Sequence, residues 1–225
     1  MSIIKPLGYI GKQEITAIAD RLLDRIRASP LPPKWPQVAD RAADFLELDI
    51  QWERFDSVRD GVVAAKIYPA TKEIYLNEAF PLIVDNSGFY QSTLAHEIGH
   101  WLLHVDPDDA DIPAIESDRE RVFLCRSLDE KKVKVRHEKT PEEWREWQAQ
   151  YFSSCLLMPV NKLEEVRQGR NLTNWQHLKA ISDELGVTSS NLCNRLQDLE
   201  YIQKAANSNR LYPGNRLKLA NCHKC

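Results

Sequence analysis

No stretch of this 225-residue chain approaches the roughly 20 consecutive apolar residues that a helix needs to span a bilayer. The opening residues, Met1-Ser2-Ile3-Ile4-Lys5-Pro6-Leu7-Gly8, lack the continuous apolar run and small-residue cleavage site of a signal peptide. Charge of one sign is also lacking. A net charge of −3 gives no field strong enough to imply nucleic acid or a membrane surface as partner. No internal repeat appears, and no low-complexity segment beyond Ser29-Pro30-Leu31-Pro32-Pro33. Cysteine is sparse and odd in number, at 5, with Cys125, Cys155 and Cys193 far apart. A disulfide framework is therefore not expected, and a reducing cytoplasm is the expected compartment.

What is present reads as one globular core with room for a small appendage: 43% hydrophobic and 28% charged residues over a length too short for two full domains. Ile15, Ile18, Leu22 and Ile26 fall at helical spacing within residues 13–28, and Pro36 opens a second helix through Val38, Ala42, Phe45 and Leu46. Strand-like segments follow at 49–54, 61–68 and 73–77, the last two joined by the turn Pro69-Ala70-Thr71-Lys72. A helix is expected over about 89–104. A long charged stretch from Val105 to Lys139 comes next, with 122–125 as its only strand candidate. Thr140-Pro141-Glu142-Glu143 has the cap, proline and third-position acid of a helix start, and that helix should end before Pro159.

His96-Glu97-Ile98-Gly99-His100 carries the chemistry. On a helix, positions i and i+4 share a face about 5–6 Å apart, so two imidazoles can reach one ion. Zinc favours such nitrogen ligands, and a catalytic site keeps one position open for water. Glu97, beside the first ligand, is placed to take that water's proton and pass it to a leaving amine. The bland alternative is two surface histidines and a solvated Glu. Leu94, Ala95, Ile98, Trp101, Leu102 and Leu103 argue against it, because they make the helix apolar almost all round and hence buried. Gly99 points the same way, since glycine inside a helix costs about 1 kcal/mol unless something packs close.

A third protein ligand is required. Asp106 lacks the glycine turn that would bring it back to the metal. His104 lies a further turn along and is read as supporting the ligands or exposed. Glu146 is favoured by the small Ala149 and Ser153 on its own helical face, which would allow close approach to Gly99. Spacing alone leaves it open against Glu142, Glu143 and Asp106.

Ala95–His104 (AHEIGHWLLH) and Glu146–Pro159 (EWQAQYFSSCLLMP) together resemble the ImmA/IrrE family of metallopeptidases, and Ile74–Asn77 (IYLN) fits as well. The resemblance covers roughly residues 35–165. It implies Glu146 as the third zinc ligand, with Gln150 and Ser153 as departures from the usual Asn and Ala. It also implies cleavage of a helix-turn-helix repressor, and through it a role in transcriptional regulation.

The expected fold is α+β: a zincin-like catalytic domain with a small sheet and the H-E-x-x-H helix, followed by a helix-turn-helix-like pair. The expected divisions are an N-terminal helix in 1–30, the metallopeptidase domain in 31–165, the helical pair in 170–203 and a basic tail in 204–225. A peptide substrate would add to a sheet edge, for which the strand around Tyr75 is the candidate. Tyr75 and His137 are candidates for stabilising the oxyanion. The second helix of the C-terminal pair offers Asn191, Asn194, Arg195 and Gln197, a poor phosphate footprint, so packing or protein docking is favoured over DNA readout. The rival reading keeps a DNA-binding or interaction regulator with a vestigial structural metal site. Cys222 and Cys225 make only half a zinc site, a weak signal.

Overall fold

The computed structural model describes residues 3–6, 8–55, 63–106, 123–126, 140–205 and 208–216. The fold is α+β, with eight helices among the described residues and a small mixed sheet. Helix α1 (Lys12–Arg27) buries Ile15, Ala19, Leu22, Leu23 and Ile26, one stripe at the expected period. Helix α2 (Val38–Phe45) follows the proline cluster and buries small side chains, so it can lie close to its neighbours.

Strands β1 (Asp49–Glu53), β2 (Val63–Tyr68), β3 (Glu73–Asn77) and β4 (Phe123–Arg126) form one sheet in the order β1-β3-β2-β4. β2 runs antiparallel to β3 and β4, while β1 is parallel to β3. The placement of Tyr75 on a sheet edge is corrected here. β3 is an interior strand, and the edges are β1 and β4. Alternation also sends Tyr75 the other way from the core. Ile74 and Leu76 share the buried face with Ala65 and Ile67, whereas Tyr75 sits opposite Lys66 and meets the Tyr68 ring edge-on at 5.4 Å. Asn77 closes the strand end: its amide donates to the Phe55 and Val63 carbonyls at 3.0 and 2.8 Å.

A short helix that the sequence pattern did not show, α3 (Pro81–Asp85), leads into α4 (Ser87–His104). α4 begins two residues earlier than expected because Asn86 caps it, accepting from the Phe89 amide at 3.0 Å. Helix α5 (Pro141–Leu157) starts with the expected capping box: Thr140 and Glu143 each bond the other's backbone amide, at 3.2 and 2.7 Å. α4 and α5 pack face to face at the centre of the molecule.

Helix α6 (Val160–Val166) is a second short element missed by periodicity. Helices α7 (Trp175–Leu185) and α8 (Ser189–Asp198) flank Gly186, which adopts the left-handed φ of 66°. A Cβ on Gly186 would lie 2.5 Å from Pro36, and one on Gly88 would lie 2.7 Å from the Val187 backbone. The turn is thus clamped between Pro36 and the start of α4.

The basic tail is not simply solvated. Strands β5 (Ile202–Lys204) and β6 (Leu211–Pro213) pair as a hairpin, and the Gly214 amide donates to the Tyr201 carbonyl at 2.8 Å. No described helix is long and apolar enough to cross a membrane. Val122, His137, Cys222 and Cys225 lie outside the described residues.

Candidate metal centre

α4 is buried almost all round and apolar over most of its surface, so folding it into the interior forces its polar groups to find one another. Glu97 and His100 are 0% exposed, and His96 and His104 are both 4% exposed. α5 approaches this surface at a glycine. A Cβ on Gly99 would stand 3.0 Å from the Ala149 Cα and carbonyl oxygen, so glycine lets the helices come closer than a side chain would without a shift. Ser153 adds a hydrogen bond from its hydroxyl to the Ser92 carbonyl at 3.1 Å. These small residues let the backbones close up, and Glu146, one turn before Ala149, lands over the histidines.

The result is a triangle of ligand atoms. His96 Nε2 and His100 Nε2 are 3.0 Å apart. His96 Nε2 lies 3.1 Å from Glu146 Oε2, and His100 Nε2 lies 3.2 Å from Glu146 Oε1. Donor atoms bound tetrahedrally to zinc at about 2.0–2.1 Å sit roughly 3.3 Å from one another, so the triangle fits such an ion. Two imidazole nitrogens 3.0 Å apart beside a carboxylate need a proton or a cation between them. The three residues are the one group among the described residues with the burial and spacing of a metal site.

Electrostatics agree with a cation-demanding cluster. Burial disfavours ionised Glu146, but its contacts with His100 and His96 outweigh that and hold the carboxyl well below its ordinary pKa. Burial alone would lower His96; the Glu146 carboxylate overcomes this and raises it. His100 stays lowered, burial being the largest cause. Burial also pushes His104 down to about 3, so its ring is neutral.

Of the other residues singled out in the sequence, Glu142 and Glu143 are exposed at the start of α5. Asp106 is not part of the cluster; its amide donates to the Ile3 carbonyl at 2.9 Å. His104 is not exposed. Its Nδ1 lies 3.1 Å from His100 Nδ1, and its Nε2 lies 2.9 Å from Gln148 Oε1. Gln148, 0% exposed, was not anticipated, and neither was Phe123, whose ring stacks on His100 at 4.6 Å.

Residues 49–197 match the IrrE N-terminal-like domain of the M78 peptidases. The chain belongs to that family. It is the ImmA/IrrE family that the two motifs resemble, and both motifs lie within the matched span. No curated protein matches significantly. Among solved structures, the chain is similar to a Mycobacterium tuberculosis transcriptional regulator, at 13% identity and a TM-score of 0.48 over 89% of this chain. This chain covers 55% of the length of that one.

Proposed function

We propose that the protein is a zinc-dependent endopeptidase. The observation that carries this reading is the 3.0–3.2 Å triangle of His96, His100 and Glu146, with buried Glu97 following the first histidine on the same helix. Two imidazoles and one carboxylate suit zinc and leave one position open. When bound, zinc supplies Lewis acidity and lowers the pKa of a coordinated water to roughly 7.

The chain's own residues supply the rest. Glu97 takes the proton of the attacking water and delivers it to the departing amine nitrogen. Its burial beside the cluster keeps competing bulk water away from that carboxylate. An extended peptide adds to a sheet edge, with main-chain hydrogen bonds fixing its register. The edge beside the centre is β4, whose Phe123 covers His100. β4 replaces β3 in this role.

Family resemblance supports a helix-turn-helix repressor as the substrate and a zincin-like arrangement for the catalytic domain. For the rival, a DNA-reading helix pair, the relevant observation is Arg195. It is 2% exposed and donates to the Met158 carbonyl at 3.3 Å and the Tyr151 hydroxyl at 3.4 Å. Asn191 likewise donates inward, to Ser92 Oγ at 2.8 Å. These side chains are committed to the core, which leaves α8 with little to offer phosphate.

The test is Glu97→Gln. It should bind zinc as the native protein does, yet cleave its helix-turn-helix substrate at least about 100-fold more slowly. Undiminished cleavage would remove Glu97 from the reaction, and loss of zinc would make it a structural residue.

A further inference from the structure

We propose that Gln148, anchored by the Gly8 carbonyl, is a positioning residue that fixes His100 as its Nδ1–H tautomer and so aims the Nε2 lone pair at the metal cluster. The inference rests on the metal reading above. It follows from accounting for each hydrogen along one chain of contacts.

A backbone carbonyl can only accept. The Gln148 amide atom 3.1 Å from Gly8 O is therefore its NH2 group, and Oε1 is the atom turned toward His104 at 2.9 Å. Flipping the amide would set two oxygens against each other. Oε1 accepts, so His104 carries its proton on Nε2. His104 is buried, and among the described residues no carboxylate lies within hydrogen-bond reach of either ring nitrogen to balance a second proton, so Nδ1 is left with a lone pair. The partner of that lone pair is His100 Nδ1 at 3.1 Å, which must be the donor. His100 Nε2 is then unprotonated, and it is the atom 3.0 Å from His96 Nε2 and 3.2 Å from Glu146 Oε1.

The anchor comes from outside the family match, which begins at residue 49. Residues 3–6 form a strap over the end of α4. The Lys5 amide donates to the His104 carbonyl and the Asp106 amide to the Ile3 carbonyl, both at 2.9 Å, while Ile4 bridges Val105. Arg145 also grips the strap, donating to the Lys5 carbonyl at 3.2 Å. The N-terminal segment therefore reaches the metal ligand through two side chains. Groups of this kind behind a ligating histidine typically change metal affinity by about 10- to 100-fold.

Two replacements separate this role from simple packing. Gln148→Met keeps similar bulk but offers no acceptor to His104. Gln148→Glu keeps the acceptor and gives up the Gly8 bond. Zinc affinity by chelator competition should fall about 10- to 100-fold in Gln148→Met and stay within about threefold of native in Gln148→Glu. Equal affinities for native and Gln148→Met, or equal losses in both variants, would overturn the proposal. Should neither variant fold, nitrogen-15 spectra of the histidine rings in the metal-free native protein decide. His100 protonated on Nδ1 supports the proposal, and protonation on Nε2 overturns it. A native protein that binds no zinc but shows the Nδ1–H tautomer would sink the metal reading and leave the tautomer assignment standing.

Discussion

Two buried polar clusters among the described residues are opposite in kind. At the α4–α5 contact, His96, His100 and Glu146 aim three electron-pair donors at one another across 3.0–3.2 Å, a geometry that calls for a cation. At the α5–α8 contact the cation is already there. The Arg195 guanidinium has the Met158 carbonyl, the Tyr151 hydroxyl and the Asp198 carboxylate, the last at 3.6 Å, arranged around it. Tyr151 in turn donates to Asp198 at 3.2 Å. A buried charge whose bonds are answered inside the protein holds the fold together, whereas a cluster that lacks its counter-charge is poised for a ligand. The helix that looks most like a nucleic-acid reader has spent its basic residue on the first task.

Substitutions can break this contrast. The largest effect is expected at Glu146→Ala, which should weaken zinc binding beyond the 10- to 100-fold typical of residues behind a ligand, with the fold retained. Calorimetric or chelator-competition titration checks it. Loss of metal in Asp106→Ala instead would reverse the ligand assignment. Arg195→Met should do the opposite. It removes a buried, paired charge and should cost about 2–3 kcal/mol in denaturant unfolding while leaving zinc affinity unchanged.

Gly99→Ala tests the join between the two regions. Its methyl group would press on the Ala149 backbone at 3.0 Å, so the two helices must part by a few tenths of an ångström. The expected cost is about 1–2 kcal/mol, accompanied by weaker zinc binding as Glu146 is pushed outward. Zinc affinity equal to native would show that Glu146 tolerates a wider helix separation than the structure implies.

The smallest effect concerns Glu164, on α6. Burial raises its pKa, but the Tyr201 hydroxyl and Arg167 outweigh that, so the folded-state value lies below the ordinary 4.5. A lowered folded-state pKa stabilises above the unfolded value and loses that contribution as pH falls below about 4.5. The site is partly exposed and screened, so Glu164→Gln should cost under about 1 kcal/mol at pH 7. The difference should shrink toward pH 3 in thermal melts of the two proteins; a gap that widens with acid would reverse the sign.

The sequence was informative wherever the governing interaction is local. His96, Glu97 and His100 lie within one turn and a half of helix, and the Thr140–Glu143 capping box is a four-residue device. Gly99 announced a close approach, and Ala149 is what approaches. Glu146 was harder, because spacing left four acids open and family resemblance singled one out. What could not be read was pairing over distance. Gly8 meets Gln148 across 140 positions. β3 lies inside the sheet because β1 pairs with it in parallel, and no alternation pattern encodes strand order. Short elements were lost for a different reason. α3 and α6 span five and seven residues, too few for a helical period to show, and the three-residue strands of the β5–β6 hairpin sit in a polar, lysine- and arginine-bearing tail.

The most direct test of the metal centre is a crystal structure of the zinc-loaded protein with anomalous scattering recorded at the zinc edge. One strong peak per chain is predicted, about 2.0–2.2 Å from His96 Nε2, His100 Nε2 and a Glu146 carboxylate oxygen, with Glu97 unligated beside it. A peak bounded by Asp106 in place of Glu146, or no peak at these histidines at saturating zinc, would contradict it.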